Sequence, residues 1–142
     1  MKKIVLQVLV GALILTGCSS KTTTSDNMTD NASTISVPGV DASTFQSKII
    51  GRGVVVLDVR TADEFSKNHL IDARNMDVES ADFDTKMVAL DKSVTYAIYC
   101  QSGRRSAIAY NKMKDAGFKS LLNLEGGMEA WMSAGLPMVG MH

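Results

Sequence analysis

One thiol of this 142-residue chain is placed where it could do chemistry. Cys100 lies in the run YCQSGRRS, Tyr99 to Ser106, and apart from Cys18 near the N-terminus it is the only cysteine. It closes the apolar run VTYAIYC, which reads as a buried strand, and a helix opens near Arg104. Only a tight turn, Cys100 to Gly103, is left between the two. Gly103 can take backbone angles closed to other residues, so the turn can curl back on itself. Amides of a turn entering a helix lack partners and converge on whatever sits at its N-terminus. Here that is the sulfur of Cys100. These amides, the helix dipole and the guanidinium groups of Arg104 and Arg105 all favour an anion. The thiol is expected to ionise below its reference value of about 8.5 and to act as a nucleophile at neutral pH.

Spacing narrows the reaction. Cysteine phosphatases require C-x5-R, so that the arginine reaches round a tetrahedral phosphate. Six residues after Cys100 stands Ser106, and the arginines fall earlier, which argues against a phosphate-ester or arsenate enzyme. A thioredoxin-type oxidoreductase needs a resolving cysteine, usually C-x-x-C, and position 103 is glycine. What remains is transfer of a soft atom that sulfur itself can hold. A lone cysteine is often just a small buried hydrophobe. The strand end, the glycine turn and the adjacent arginines set this one apart.

The surrounding pattern must supply the scaffold. Hydrophobic content of 45% with 21% charged residues indicates a globular core. TISV (34–37) reads as a short strand and DASTFQSKII (41–50) as a helix capped by Asp41 or Ser43. VVVLDV (54–59) is continuous and β-branched, as in a strand buried on both faces. TADEFSKN opens with Thr61 and places Glu64 three residues on, a capping-box spacing. ARNMDV (73–78) reads as a short strand and DFDTKMVAL (82–90) as a helix. The helix after Cys100 turns Ala109, Met113 and Ala116 inward and stops at Gly117. SLLNLEGG is a further strand, and Gly126 and Gly127 turn into a last helix, MEAWMSAG. Trp131 and the methionines read as core. Alternating strands and helices imply an α/β fold, a central parallel sheet of about five strands with helices on both faces. Sites in such sheets lie beyond the carboxyl ends of the strands, where both Cys100 and Asp58 to Arg60 fall.

CQSGRRS, with LDVRTADEF upstream and LEGGMEAWMSAGLP downstream, resembles a single-domain rhodanese, a thiosulfate sulfurtransferase-type protein. The likeness runs from about Thr34 to Pro137. It implies that Cys100 is the nucleophile that accepts sulfane sulfur and becomes a persulfide. Gln101, Ser102, Gly103, Arg104 and Arg105 match the loop that cradles the persulfide, with Ser106 at the helix start. Asp58 and Arg60 match a strand-end pair that braces the loop. The resemblance implies a small anionic donor such as thiosulfate, a cyanide or thiol acceptor, ping-pong kinetics, and no cofactor. No metal is implied, and the two histidines form no ligand cluster. His69 lies in HLIDARNM, similar to the family's HIPGAxNI, with Ile71 and Asp72 where proline and glycine are usual. The turn there is expected to differ, and His69 to be buried and hydrogen-bonded. The second reading is a non-catalytic or persulfide-carrier module acting on a protein partner.

The N-terminus is a separate unit. MKK followed by IVLQVLVGALILTG fits a secretory signal, too short for a membrane span. LTGC (15–18) resembles the lipobox of bacterial lipoproteins, which implies a signal peptide over 1–17 and a diacylglycerol on Cys18. Residues 18–33 read as a flexible tether, and 34–142 as the rhodanese-like domain. The expected setting is an exported lipoprotein held by the lipid on Cys18, at the periplasmic face of the outer or inner membrane, or at the cell surface of a single-membrane host. Ser19 suggests outward sorting in an enterobacterial host. Cleavage before Cys18 leaves one thiol, so no internal disulfide can form. The absence of net charge and of any Lys/Arg stripe excludes nucleic acid as the main partner. The domain is expected to be a monomer.

Overall fold

The computed structural model describes residues 37–140. The expected signal peptide over 1–17, Cys18, the expected tether to residue 33 and residues 34–36 of the expected first strand lie outside the described residues. The described elements are β1 (Gly39–Val40), α1 (Ala42–Ile49), β2 (Val54–Asp58), α2 (Ala62–Lys67), β3 (Arg74–Asn75), α3 (Phe83–Val88), β4 (Thr95–Tyr99), α4 (Arg104–Asp115), β5 (Leu121–Leu124) and α5 (Gly127–Ser133). The five strands form one sheet in the order β1-β5-β4-β2-β3, and every pairing is parallel. This is the α/β architecture the sequence implies, a parallel sheet of five strands with helices packed on both faces.

The long apolar runs are buried on both sides because the strands split their side chains by period two. Leu57, Val59, Tyr96, Ile98 and Cys100 face one layer with Phe83 and Met87 of α3 and Ala109 and Met113 of α4. Val56, Ala97 and Tyr99 face the other, with Ala42 and Phe45 of α1 and Met128 and Trp131 of α5. Trp131 packs edge-on to Phe45 at 6.3 Å between ring centroids. Ala116 is only half-buried, because it caps α4, and Gly117 ends that helix at φ 92°.

Both capping signals are realised. Asp41 Oδ1 accepts from Thr44 N at 2.9 Å, and Thr61 and Glu64 form the reciprocal capping box of α2. Two expected strands differ in extent. Val37, the one described residue of TISV, lies outside any strand, the pairing beside β5 runs through Gly39 and Val40, and Pro38 has no amide to give a ladder. Gly39 passes so close to Asn123 and Glu125 that an added Cβ would lie 3.3–3.4 Å from them. The run 73–78 contributes only Arg74 and Asn75 to β3, although Met76 N still donates to Asp58 O at 2.8 Å.

Candidate active site

The ends of β2 and β4 lie side by side, with Asp58 in register with Tyr99. Just beyond β2, Arg60 is 2% exposed and Asp58 fully buried. A buried guanidinium needs all its donors used. Arg60 Nε donates to Asp58 at 3.0 and 3.1 Å and Nη2 at 2.7 Å. Nη2 also reaches Asn68 O at 2.6 Å, and Nη1 reaches Asn68 Oδ1 at 3.2 Å and Gln101 Oε1 at 3.3 Å. Burial pulls the Arg60 guanidinium down, but the hydrogen bonds and charge of Asp58 outweigh it and hold it above its ordinary value. Burial, with Asp58 second, pushes the Tyr99 hydroxyl far up, so it stays neutral and accepts from Leu70 N at 3.0 Å.

Beyond β4, Gly103 takes φ 98° as the N-cap of α4, the left-handed turn that its lack of a side chain permits. Its amide points at Cys100 Sγ at 3.1 Å. The thiol lies 3.6 Å from Ser106 Oγ, which donates to Gly103 O at 3.0 Å. The loop is held from beneath by α5. Met128 N donates to Cys100 O at 2.9 Å and Glu129 N to Gln101 O at 3.1 Å. Two loop carbonyls are thereby engaged by another helix. Gly127 sits at this contact with φ 57°, and a Cβ there would overlap the carbonyl oxygen of Cys100 and lie 2.7 Å from that of Gln101. Cys100 itself is 1% exposed.

The sequence treats Arg104 and Arg105 as one pair; the structure separates them. Arg105 forms a two-pronged bond to Glu64, at 2.8 and 2.7 Å, and lies 3.6 Å from Glu79. These bonds draw the Glu64 carboxyl down to about 2, against its burial and with help from Thr61, and raise Arg105 in turn. Arg104 is exposed, its nearest carboxylate oxygen on Glu79 at 3.9 Å. Gln101 and Gly103 are half-buried, Ser102 exposed and Ser106 buried.

His69 is half-buried, its Nδ1 2.9 Å from Phe65 O and its ring stacked on Phe65 at 4.0 Å. Asp72 adopts φ 61°, so the turn takes a left-handed residue without glycine. An aspartate tolerates this because its short polar side chain bonds locally.

Asp58, Arg60 and the whole run Cys100–Ser106 therefore meet at one end of the sheet, while Cys18 lies outside the described residues. Missing from the sequence reading are the pairing of Glu64 with Arg105, the parts of Asn68 and Glu79, and the part of Gly127 in seating the loop. The capping-box spacing marked Glu64 but not its second partner. The arrangement offers a sulfur with an amide donor aimed at it, on a loop pinned at several points.

A family description, "Rhodanese-like domain", matches residues 41–134. The chain is 34% identical over 86 residues to a sulfurtransferase of Allochromatium vinosum, covering 61% of this chain and 78% of that protein. It is 30% identical over 107 residues to the putative sulfur carrier protein YrkF of Bacillus subtilis, covering 75% and 56%. The match covers 47% of an uncharacterized Synechocystis relative, so the chain spans only about half the length of some curated relatives it matches. The crystal structure of a rhodanese-related protein from Thermoplasma volcanium superposes with TM-score 0.65 at 26% identity, covering 74% of this chain and all of that one.

Proposed function

This chain belongs to the rhodanese-like domain family, and from that premise we propose that it is a sulfurtransferase carrying sulfane sulfur on Cys100. The observation that supports this most is the aim of the Gly103 amide at Sγ, 3.1 Å away, in a loop whose carbonyls are engaged by α5. In the first half-reaction the Cys100 thiolate attacks the outer sulfur of thiosulfate. A new S–S bond forms, the bond to the sulfonate sulfur breaks, and its electron pair leaves with sulfite. In the second, cyanide or a thiolate attacks the outer sulfur of the persulfide. Thiocyanate or a new persulfide departs and the Cys100 thiolate returns. No cofactor enters either step. The protein acts as a monomer, and the lipid on Cys18 tethers it to a membrane; that anchoring is checked by labelled palmitate entering the wild-type protein but not Cys18→Ser.

The decisive experiment is mass spectrometry of the reduced, folded protein after thiosulfate treatment. One extra sulfur on Cys100 is expected, together with loss of turnover in Cys100→Ser. Folded protein that takes no sulfur overturns the proposal. The carrier reading draws support from the burial of Cys100 at 1% exposure, because a partner that opens the loop would then control discharge. Poor thiosulfate turnover alongside a co-purifying partner that accepts the sulfur would favour it.

A further inference from the structure

Successive residues of a helix point roughly 100° apart, so two adjacent arginines in a first turn cannot serve one ligand equally. Resting on the sulfur-transfer reading above, we propose that Glu64 is a positioning residue that holds Arg105 as the clamp of the loop, and that Arg104 is the cation an anionic sulfur donor meets.

Arg105 has no free fork to offer. Both of its terminal nitrogens are committed to Glu64, and only 15% of its side chain is exposed. To face an anion it must give up two charge-assisted bonds at once. Its partner is fixed as well: Glu64 Oε2 accepts from Thr61 N at 3.1 Å and from Thr61 Oγ1 at 2.9 Å. Thr61 directly follows Arg60, whose Nη1 meets Gln101. The chain after β2 therefore grips the active loop twice, near its start through Arg60 and at its end through Glu64.

Arg104 is built the other way. Its side chain is 73% exposed and its one carboxylate neighbour among the described residues, at 3.9 Å, lies beyond hydrogen-bond reach and is itself 53% exposed. It is the first residue of α4, next to the glycine whose amide touches the sulfur. An exposed cation in this place attracts an anion over distance and loses that effect as salt screens it.

The test uses the full chain with thiosulfate as donor and cyanide as acceptor, after confirming by mass spectrometry that Cys100 of the wild type takes up sulfur. Arg104→Gln should raise the thiosulfate KM about fivefold, more than it lowers kcat, and the rise should fade at high salt. Glu64→Gln keeps a capping side chain for Thr61 but removes the charge partner of Arg105. It should lower kcat about tenfold with KM little changed. Arg105→Gln should match that loss, and the double variant should lose no more than either single one, because both remove the same contact. Arg105→Gln alone carries the test of the clamp should Glu64→Gln fail to fold. An unmoved KM in Arg104→Gln, a raised KM in Arg105→Gln, or losses that multiply in the double variant would overturn the assignment. A wild type that takes up no sulfur would overturn it together with the function it rests on; normal loading with unmoved parameters would overturn it alone.

Discussion

Arg60 shows what a single buried charge demands. At 2% exposure it is stable only because Asp58, Asn68 and Gln101 occupy its donors. Asp58→Asn would leave that guanidinium without its counter-charge, a loss of about 3–5 kcal/mol. Chemical denaturation should show it as a lower midpoint at unchanged slope. The same reasoning reaches the nucleophile. Cys100 is 1% exposed, so alkylation waits on local opening of the loop. Gln101→Gly removes the side chain that Arg60 pins, and about 1.4 kcal/mol of lost restraint would speed iodoacetamide modification of Cys100 about tenfold. A rate unchanged by that substitution would show that the pin does not govern access. Cys100, Asp58 and Arg60 were legible because each stands at a strand end in a distinctive string. Asn68 and Gln101 were not legible as partners of Arg60, being eight and forty-one residues away, with no periodicity to connect them.

An element positions more than the residues it contains. The first turn of α5 supplies the amides of Met128 and Glu129 to the carbonyls of Cys100 and Gln101. The loop is shaped as much from β5–α5 as from its own sequence. Two glycines separate local conformation from packing. Gly103 and Gly127 both have positive φ, so alanine at either costs about 1–2 kcal/mol in the backbone. At Gly103 the nearest atom to an added Cβ is 3.5 Å away, whereas at Gly127 the methyl would overlap the Cys100 carbonyl. Gly127→Ala should therefore cost about 1–3 kcal/mol more than Gly103→Ala, read as the difference in denaturation midpoints, and should dislodge the loop. Equal costs would mean that α5 does not seat it. The strand-and-helix alternation and both helix caps could be read from the sequence because each is a local signal. The pairing of Gly39 and Val40 was not legible, because a glycine carries no β-branched signal and its place beside β5 rests on room to pass Asn123. Gly126 and Gly127 announced a turn, but nothing local says which loop a turn will touch.

At the scale of the molecule, alternation predicts a parallel sheet but not its order. The order β1-β5-β4-β2-β3 sends the chain outward in two directions from the β2–β4 pair. That is the switch point where the loops following adjacent strands part and leave a crevice. Glu64 of α2 and Arg105 of α4 join the two sides of it with a two-pronged ion pair. A tie of this kind makes stability depend on pH in a defined window. Glu64 is drawn from 4.5 to about 2 in the folded chain, so its contribution is complete above the unfolded value and fades as pH falls from about 4.5 towards 2. With 30% of its side chain exposed to solvent, that contribution is held to at most about 1 kcal/mol. Wild type should therefore exceed Glu64→Gln in urea midpoint at pH 7, and the gap should narrow at pH 3 and close near pH 2. Asp41, Asp82 and Asp91 are also held low, but both proteins carry them and they cancel in the difference. A gap that stays constant across this range would mean that Arg105 takes no charge-dependent hold on α2, and that the crevice is closed by packing alone.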